Sequence, residues 1–249
     1  MGKVIAVASG KGGTGKTTTV AALSSCLAAL GHRTLCIDFD AELKNLDLAL
    51  CMTEFTAADF TDVLSNRLPL MNACRECPQI KNLFFLAAPS VNGWEGVSIV
   101  ALHDMFADIR GKFDYCLVDA PSGIGEGFTF AHFDADASII VTEGEVPAMR
   151  DAQRAAEAAG DMGVGELLLL VNRVLPRNYR RMRTTVDDVI DTVGVRLLGI
   201  IREDESIPIA LNEGTPLILY KKRLAAYDFL DAARRVAGEF IPMRWPFIW

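Results

Sequence analysis

The chain has no long apolar run. Nothing in it approaches the ~20 consecutive apolar residues that a bilayer-crossing helix needs. It opens straight into a glycine-rich stretch rather than a secretory signal, so a cytoplasmic location is expected. Positive charge is also short: 25 Lys and Arg stand against 32 Asp and Glu, a formal net charge of −7. Nucleic-acid affinity comes mainly from neutralising phosphates, so nucleic acid is an unlikely partner. The one basic cluster is Arg177 to Arg183. Histidine is scarce, and His32, His103 and His132 stand alone, outside metal-ligand spacing. The six cysteines (Cys26, Cys36, Cys51, Cys74, Cys77 and Cys116) are scattered and form no disulfide framework. Linkers, repeats and low-complexity tracts are missing. The 249 residues, 51% of them hydrophobic, fit one large domain.

What is present centres on Ser9-Gly10-Lys11-Gly12-Gly13-Thr14-Gly15-Lys16-Thr17-Thr18. An apolar run, Lys3 to Ala8, precedes it, and an Ala/Leu-rich helical stretch, Thr18 to Leu30, follows. Strand, glycine-rich loop, Lys-Thr, helix is the context of a phosphate-binding loop. Glycines let successive backbone N–H groups converge on anionic oxygens, and the helix N-terminus adds more donors. Gly10, Lys11, Gly12, Gly13, Thr14, Gly15, Lys16, Thr17 and Thr18 are therefore the expected nucleotide cradle. Lys16 supplies charge to the β/γ-phosphates, and the Thr17 hydroxyl is a ligand for Mg²⁺.

Short apolar runs alternate with amphipathic helical stretches along the rest of the chain. Strands are expected at Arg33 to Ile37, Leu83 to Ala87, Tyr115 to Val118, Ala137 to Thr142, Leu167 to Asn172 and Arg196 to Ile201. Helices are expected at Ala57 to Ser65, Val97 to Arg110, Gly125 to Phe133, Ala148 to Met162, Val186 to Val193, Ser206 to Asn212 and Leu224 to Glu239. Continuous apolar strands separated by helices imply an α/β fold. Its mainly parallel sheet of about seven or eight strands carries helices on both faces. The domain spans 1–243, and 244–249 form a short aromatic tail.

Two acidic strand ends complete the site. Cys36-Ile37-Asp38-Phe39-Asp40 places two carboxylates two residues apart, on one side of an extended strand. They lie at a carboxyl end, where parallel sheets bind ligands. Asp38 suits Mg²⁺, and Asp40 suits orientation of an attacking water. Cys116-Leu117-Val118-Asp119 is an apolar strand ending in a second candidate Mg²⁺ residue, Asp119. Gly123, just beyond it, allows backbone to approach the γ-phosphate.

The form Lys-Gly-Gly-x-Gly-Lys-Thr, with its early Lys11, resembles the deviant phosphate loop of the MinD/ParA ATPases, P-loop NTPases of the SIMIBI type. The stretch from Asp38 to Leu48, with Asn45 and Asp47, resembles the MinD branch. Asp119-x-Pro121 resembles the family's D-x-P-A-G-I-E, with Ser122 for Ala and Gly125 for Glu. Val146 to Asp151, Leu198 to Asp204 and Asn212-x-Gly214-x-Pro216 also match, except that Arg202 replaces a proline. The resemblance covers about residues 2 to 243. It implies a Mg²⁺-dependent ATPase, slow without a partner, that dimerises on ATP with Lys11 crossing the interface. Catalytic roles fall to Lys11, Lys16 and Asp40. Asn172 meets the adenine edge, unless it merely caps a strand end, and the loop with Arg202 and Asp204 adds base contacts. A partner resembling MinC, or one of the MinE/DivIVA pathway, and a role in placing the division septum are implied too.

Two features and one rival reading leave alternatives open. Cys74-Arg75-Glu76-Cys77 is absent from the family pattern and would suit a metal-cluster carrier or insertion ATPase, a redox pair or two buried thiols. A ParA-type partition ATPase is a further alternative. The tail holds Trp245, Phe247, Ile248 and Trp249 where the family has a basic amphipathic helix. It either binds the inner face of the cell membrane peripherally or folds back onto the domain.

Overall fold

Lys3–Ala8 forms β1, buried at every residue from Val4 on. A strand covered on both faces has no polar side, so its sequence runs apolar without alternating. The computed structural model, which describes residues 1–52, 58–89, 94, 96–175, 184–220 and 224–244, builds the rest of the sheet on this strand. The other strands are β2 (Thr34–Asp38), β3 (Arg75–Glu76), β4 (Leu83–Leu86), β5 (Tyr115–Asp119), β6 (Ala137–Thr142), β7 (Glu166–Val174) and β8 (Arg196–Arg202). Their order is β3-β4-β2-β5-β1-β6-β7-β8. Every pairing is parallel except β3 with β4 at the edge. Strand order reverses at β1, between β5 and β6. The carboxyl ends there open the crevice in which such sheets bind ligands.

Helices α1 (Lys16–Ala29), α2 (Leu46–Ala49), α3 (Phe60–Leu64), α4 (Leu70–Ala73), α5 (Ile99–Lys112) and α6 (Glu126–His132) come from the first half of the chain. The second half gives α7 (Val146–Asp161), α8 (Val186–Val193), α9 (Ser206–Asn212) and α10 (Leu224–Val236). Helix α1 is apolar or small on nearly every side because it is buried between the sheet and α10. One core therefore lies beneath α1 and α10, and the other beneath α5 to α8. Helix α7 starts two residues earlier than its periodicity suggests, because Pro147 is accepted in a first helical turn.

The eighth strand, β3, is two exposed residues long and carries no periodic signal. It nevertheless separates the C-x-x-C cysteines. Cys74 packs into the core with Phe60 and Phe106, whereas Cys77 packs into the opposite core with Cys36 and Phe85. Side chains alternate along extended backbone, so an i, i+3 pair points to opposite faces. Both thiols are buried, and burial pushes Cys74 up to about 12. The metal-carrier and redox-pair readings of Cys74 and Cys77 are thereby corrected to two separate core residues. Among the described residues no group of three or more His, Cys, Asp or Glu converges as a metal centre. No described helix is long and apolar enough to cross a membrane. The basic stretch Arg177 to Arg183 and the aromatic tail residues Trp245, Phe247, Ile248 and Trp249 lie outside the described residues.

His132 is 1% exposed, stacked on Phe128, with Nδ1 2.8 Å from the Phe128 carbonyl and Nε2 2.8 Å from the Ser138 hydroxyl. Burial lowers its pKa to about 4. The unfolded chain takes up a proton near the ordinary value of about 6.5, which the folded chain refuses until about pH 4. Stability tied to His132 is thus full above pH 6.5 and lost between there and pH 4, on the order of 3 kcal/mol at most. Denaturant titrations from pH 7 to 4 should show a shallower acid loss for His132→Gln than for the parent. Equal slopes would refute this assignment.

Candidate active site

The glycine-rich loop joins β1 to α1 at the switch point. Gly13 and Gly15 have φ of +81° and +91°, a region that side chains avoid. Gly15 is the N-cap of α1, and Lys16 is its first residue, only 7% exposed. The loop is fixed from outside as well as within. The Ser9 hydroxyl donates to the Lys11 carbonyl at 2.6 Å. The Asn172 amide, on β7, donates to the Thr14 carbonyl at 2.8 Å. A Cβ on Gly15 would lie 2.3 Å from that amide nitrogen, and one on Gly10 would lie 2.0 Å from the Asp151 carbonyl of α7. The loop therefore rests directly on two neighbouring elements.

Parallel register sets Asp38 of β2 opposite Asp119 of β5. Asp40 lies beyond the strand end. Phe39 between them is buried in the core, while Asp40 lies near enough to act on the charges of Asp38, Asp119 and Lys16. The Asp40 amide donates to Asp38 Oδ1 at 2.9 Å, the Leu46 amide to Asp38 Oδ2 at 3.3 Å, and the Leu43 amide to Asp40 Oδ1 at 3.1 Å. Burial, with Asp119 nearby, raises Asp38 to about 8 despite its amide donors. Burial likewise raises Asp119 to about 7, while Thr17 and Lys16 pull it down. Burial lowers Lys16, against the attraction of Asp119 and Asp40.

Among the described residues neither Asp119 oxygen has a hydrogen-bond partner, although the Thr17 hydroxyl is near enough to act on its charge. The Thr14 hydroxyl is buried and, among the described residues, equally without a partner. A buried carboxylate left without donors is costly unless a cation meets it. Hard oxygens on Asp119, Thr17 and Asp38 fit Mg²⁺. The loop glycines and Lys16 fit the phosphates beside it.

Lys11, Asn172 and the Arg202–Asp204 loop also make contacts within the chain. Lys11 is half-buried at the loop's outer edge, its Nζ 3.9 Å from Glu143 and 3.8 Å from Glu145. Glu143 also pairs with Arg173, whose Nη1 is 3.0 Å away. Glu143 follows β6 directly, and a strand-end acid in the crevice was the available signal for it. Asn172 holds the loop through the Thr14 carbonyl, a role distinct from both the expected base contact and a strand-end cap. The Arg202 guanidinium is clamped by Asp228 of α10, with Nε 2.7 Å from Oδ2 and Nη2 2.6 Å from Oδ1. Its backbone N–H donates to the same Oδ2 at 3.1 Å. Asp204 accepts from the Ser206 amide at 2.9 Å and from the Ala225 amide at 3.1 Å. Arg202 and Asp204 thus tie their loop to α9 and α10.

The family model for the CobQ/CobB/MinD/ParA nucleotide-binding domain matches residues 5–217. The chain belongs to this family. Its likeness to the MinD branch runs nearly end to end. The septum site-determining protein MinD of Synechocystis is 35% identical over 97% of this chain and 92% of the relative. The MinD chain of the Aquifex aeolicus MinC:MinD complex has a TM-score of 0.90 and 34% identity, covering 97% of this chain and 98% of that one. MinD of Pyrococcus horikoshii, solved with Mg-ADP, has a TM-score of 0.82 and 29% identity, over 95% and 96%. The eight-stranded, mostly parallel sheet is the MinD/ParA fold, and the chain is a nucleotide-hydrolysing MinD-like protein.

Alanine at the loop glycines should separate packing from conformation. Gly10→Ala drives a methyl into α7 backbone, Gly15→Ala meets a side-chain amide and a positive φ, and Gly13→Ala meets only the positive φ. Stability losses should fall in that order, from more than ~2 kcal/mol for Gly10→Ala to about 1 kcal/mol for Gly13→Ala. Chemical denaturation of the three variants checks the ranking, and a Gly13→Ala loss exceeding that of Gly10→Ala would reverse it.

Proposed function

We propose that this MinD-like ATPase is an ATP-driven dimerising switch that acts in placing the division septum. The observation that carries the reading is the juxtaposition of a glycine nest, a buried Lys16 and an Asp119 carboxylate without donors. Oxygens of Thr17, Asp38 and Asp119 would hold Mg²⁺, which supplies charge neutralisation on the phosphates of ATP. Lys16 neutralises the β/γ-phosphates, and N–H groups of residues 12 to 18 cradle them. Asp40, held by the Leu43 amide, orients the attacking water. Asn172, Arg202 and Asp204 set the loops that flank the base, Arg202 through backbone rather than its guanidinium.

Lys11 sits at the exposed edge of the loop, beside solvent-open Gly12 and Gly13. From there it completes the site of a second copy, so that ATP binding and dimerisation become one event. Hydrolysis is slow in the isolated chain, because a second copy or a partner finishes the site. The Aquifex relative was solved with MinC, and a MinC-type partner for this chain is the corresponding proposal. The aromatic tail supplies weak peripheral membrane affinity that a dimer doubles.

Size measurements with Mg-ATP and Mg-ADP test the switch. The parent should dimerise only with ATP. Lys11→Ala should keep most of its ATP binding and lose dimerisation and hydrolysis, while a fully active monomeric Lys11→Ala would overturn the reading. Asp40→Ala should lose roughly 10²-fold or more in turnover, with ATP binding retained. Membrane affinity has its own test. Deleting Arg244 to Trp249 should abolish ATP-dependent sedimentation with anionic liposomes, and unchanged sedimentation would exclude the tail as the anchor.

A further inference from the structure

Phe39 stands between the two carboxylates of the β2 end, and its ring is fully buried. The ring meets Trp94 edge-on, with centroids 4.8 Å apart and planes at 73°. Trp94 lies on the segment between β4 and α5 and is 7% exposed. Its other neighbours belong to a different part of the site. It stacks on Phe130 of α6 at 4.7 Å and 16°. It also faces Gly127, where an added Cβ would sit 3.3 Å from the indole Nε1 and 2.5 Å from the Pro121 ring. Phe60 of α3 closes the cluster, 4.9 Å from Trp94 and 4.8 Å from Phe39. The indole is therefore wedged between the Asp38–Asp40 turn and the segment that follows Asp119. The Phe39 amide donates to the Asp119 carbonyl at 3.0 Å, so the two segments are also joined through backbone.

We propose that Trp94 is a positioning residue that couples the Asp40 turn to the Pro121–Gly127 segment. Edge and stacked aromatic contacts fix orientation as well as separation. Close-packed interiors shift between discrete arrangements rather than deforming smoothly. A displacement of the segment after Asp119, where the γ-phosphate is expected, thus moves Phe39 and with it Asp40. Trp94 touches no phosphate; it acts by holding Asp40 where a water can be oriented.

The inference rests on the ATPase reading, and the test keeps the two apart. In a Trp245→Phe/Trp249→Phe background, Trp94 is the sole tryptophan. Its emission should differ between Mg-ADP and the slowly hydrolysed analogue Mg-ATPγS. Trp94→Leu should lower kcat on the order of tenfold or more through misplacement of Asp40, with KM for ATP within about threefold, and Trp94→Phe should restore most of the rate. Identical emission with the two nucleotides, or a Trp94→Leu kcat within twofold of the parent, overturns the coupling. A parent that does not hydrolyse ATP overturns the ATPase reading instead. Emission is read on the unaltered Trp94, so an unstable Trp94→Leu protein still leaves the proposal decidable.

Discussion

Asp38 and Asp119 are carboxylates on neighbouring strands, side by side in register and both almost wholly buried. Two like charges so close and so dry oppose folding unless they keep protons or meet a cation. Burial, the larger cause, raises both pKa values, and the Asp119 charge adds to the rise at Asp38. Lys16 relieves part of it, but its own charge is penalised by the same burial. The surrounding sheet, apolar on both faces, holds this arrangement against its electrostatic cost. A divalent cation with anionic phosphates would satisfy all three groups at once, and its binding would add to the stability of the fold.

The loop that would receive those phosphates is not a free-standing ribbon. It is packed on α7 at Gly10 and on β7 at Gly15, with no room for even a methyl group at either place. Phosphate-driven adjustment of the loop must therefore be felt by α7. The same helix begins just after Glu145, which with Glu143 faces Lys11. The residue expected to reach a second copy and helix α7 thus share one packed junction. This gives the proposed switch a mechanical basis in which no long-range relay is needed.

Much of this was legible in the chain itself. Seven apolar runs became parallel strands, because a strand buried on both faces announces itself by lacking polar residues. The loop and the two strand-end acids were legible because phosphate and metal chemistry demand specific residue types at fixed spacing. Features set by tertiary contact were not. Strand β3 is too short for any period, yet it sends Cys74 and Cys77 to opposite cores. The amide donors that hold the two acids, Leu43 for Asp40 and Leu46 for Asp38, are not revealed by a two-residue spacing. Trp94 carries no periodic or motif signal, and its place is set by Phe39, Phe60 and Phe130, far apart in sequence, which meet around it.

Arg202 shows how a departure from the family pattern is absorbed. Proline at this position fixes the backbone by its ring. Arginine cannot, and a buried guanidinium without a partner would be strongly destabilising. Asp228, from a helix 26 residues later, answers both difficulties. It meets the guanidinium with both oxygens and accepts the Arg202 backbone N–H with one of them. The pair is nearly enclosed, so its net contribution to stability is small once desolvation is counted. Its effect lies in orientation: the fork geometry of arginine against a carboxylate fixes direction as well as distance. The loop reaching to Asp204 is thereby pinned to α10, itself packed on α1, the helix whose N-terminus carries Lys16. Where the family pattern has a ring, this loop is held by a charge pair, which links the phosphate end of the site to the side expected to meet the base through α10 and α1.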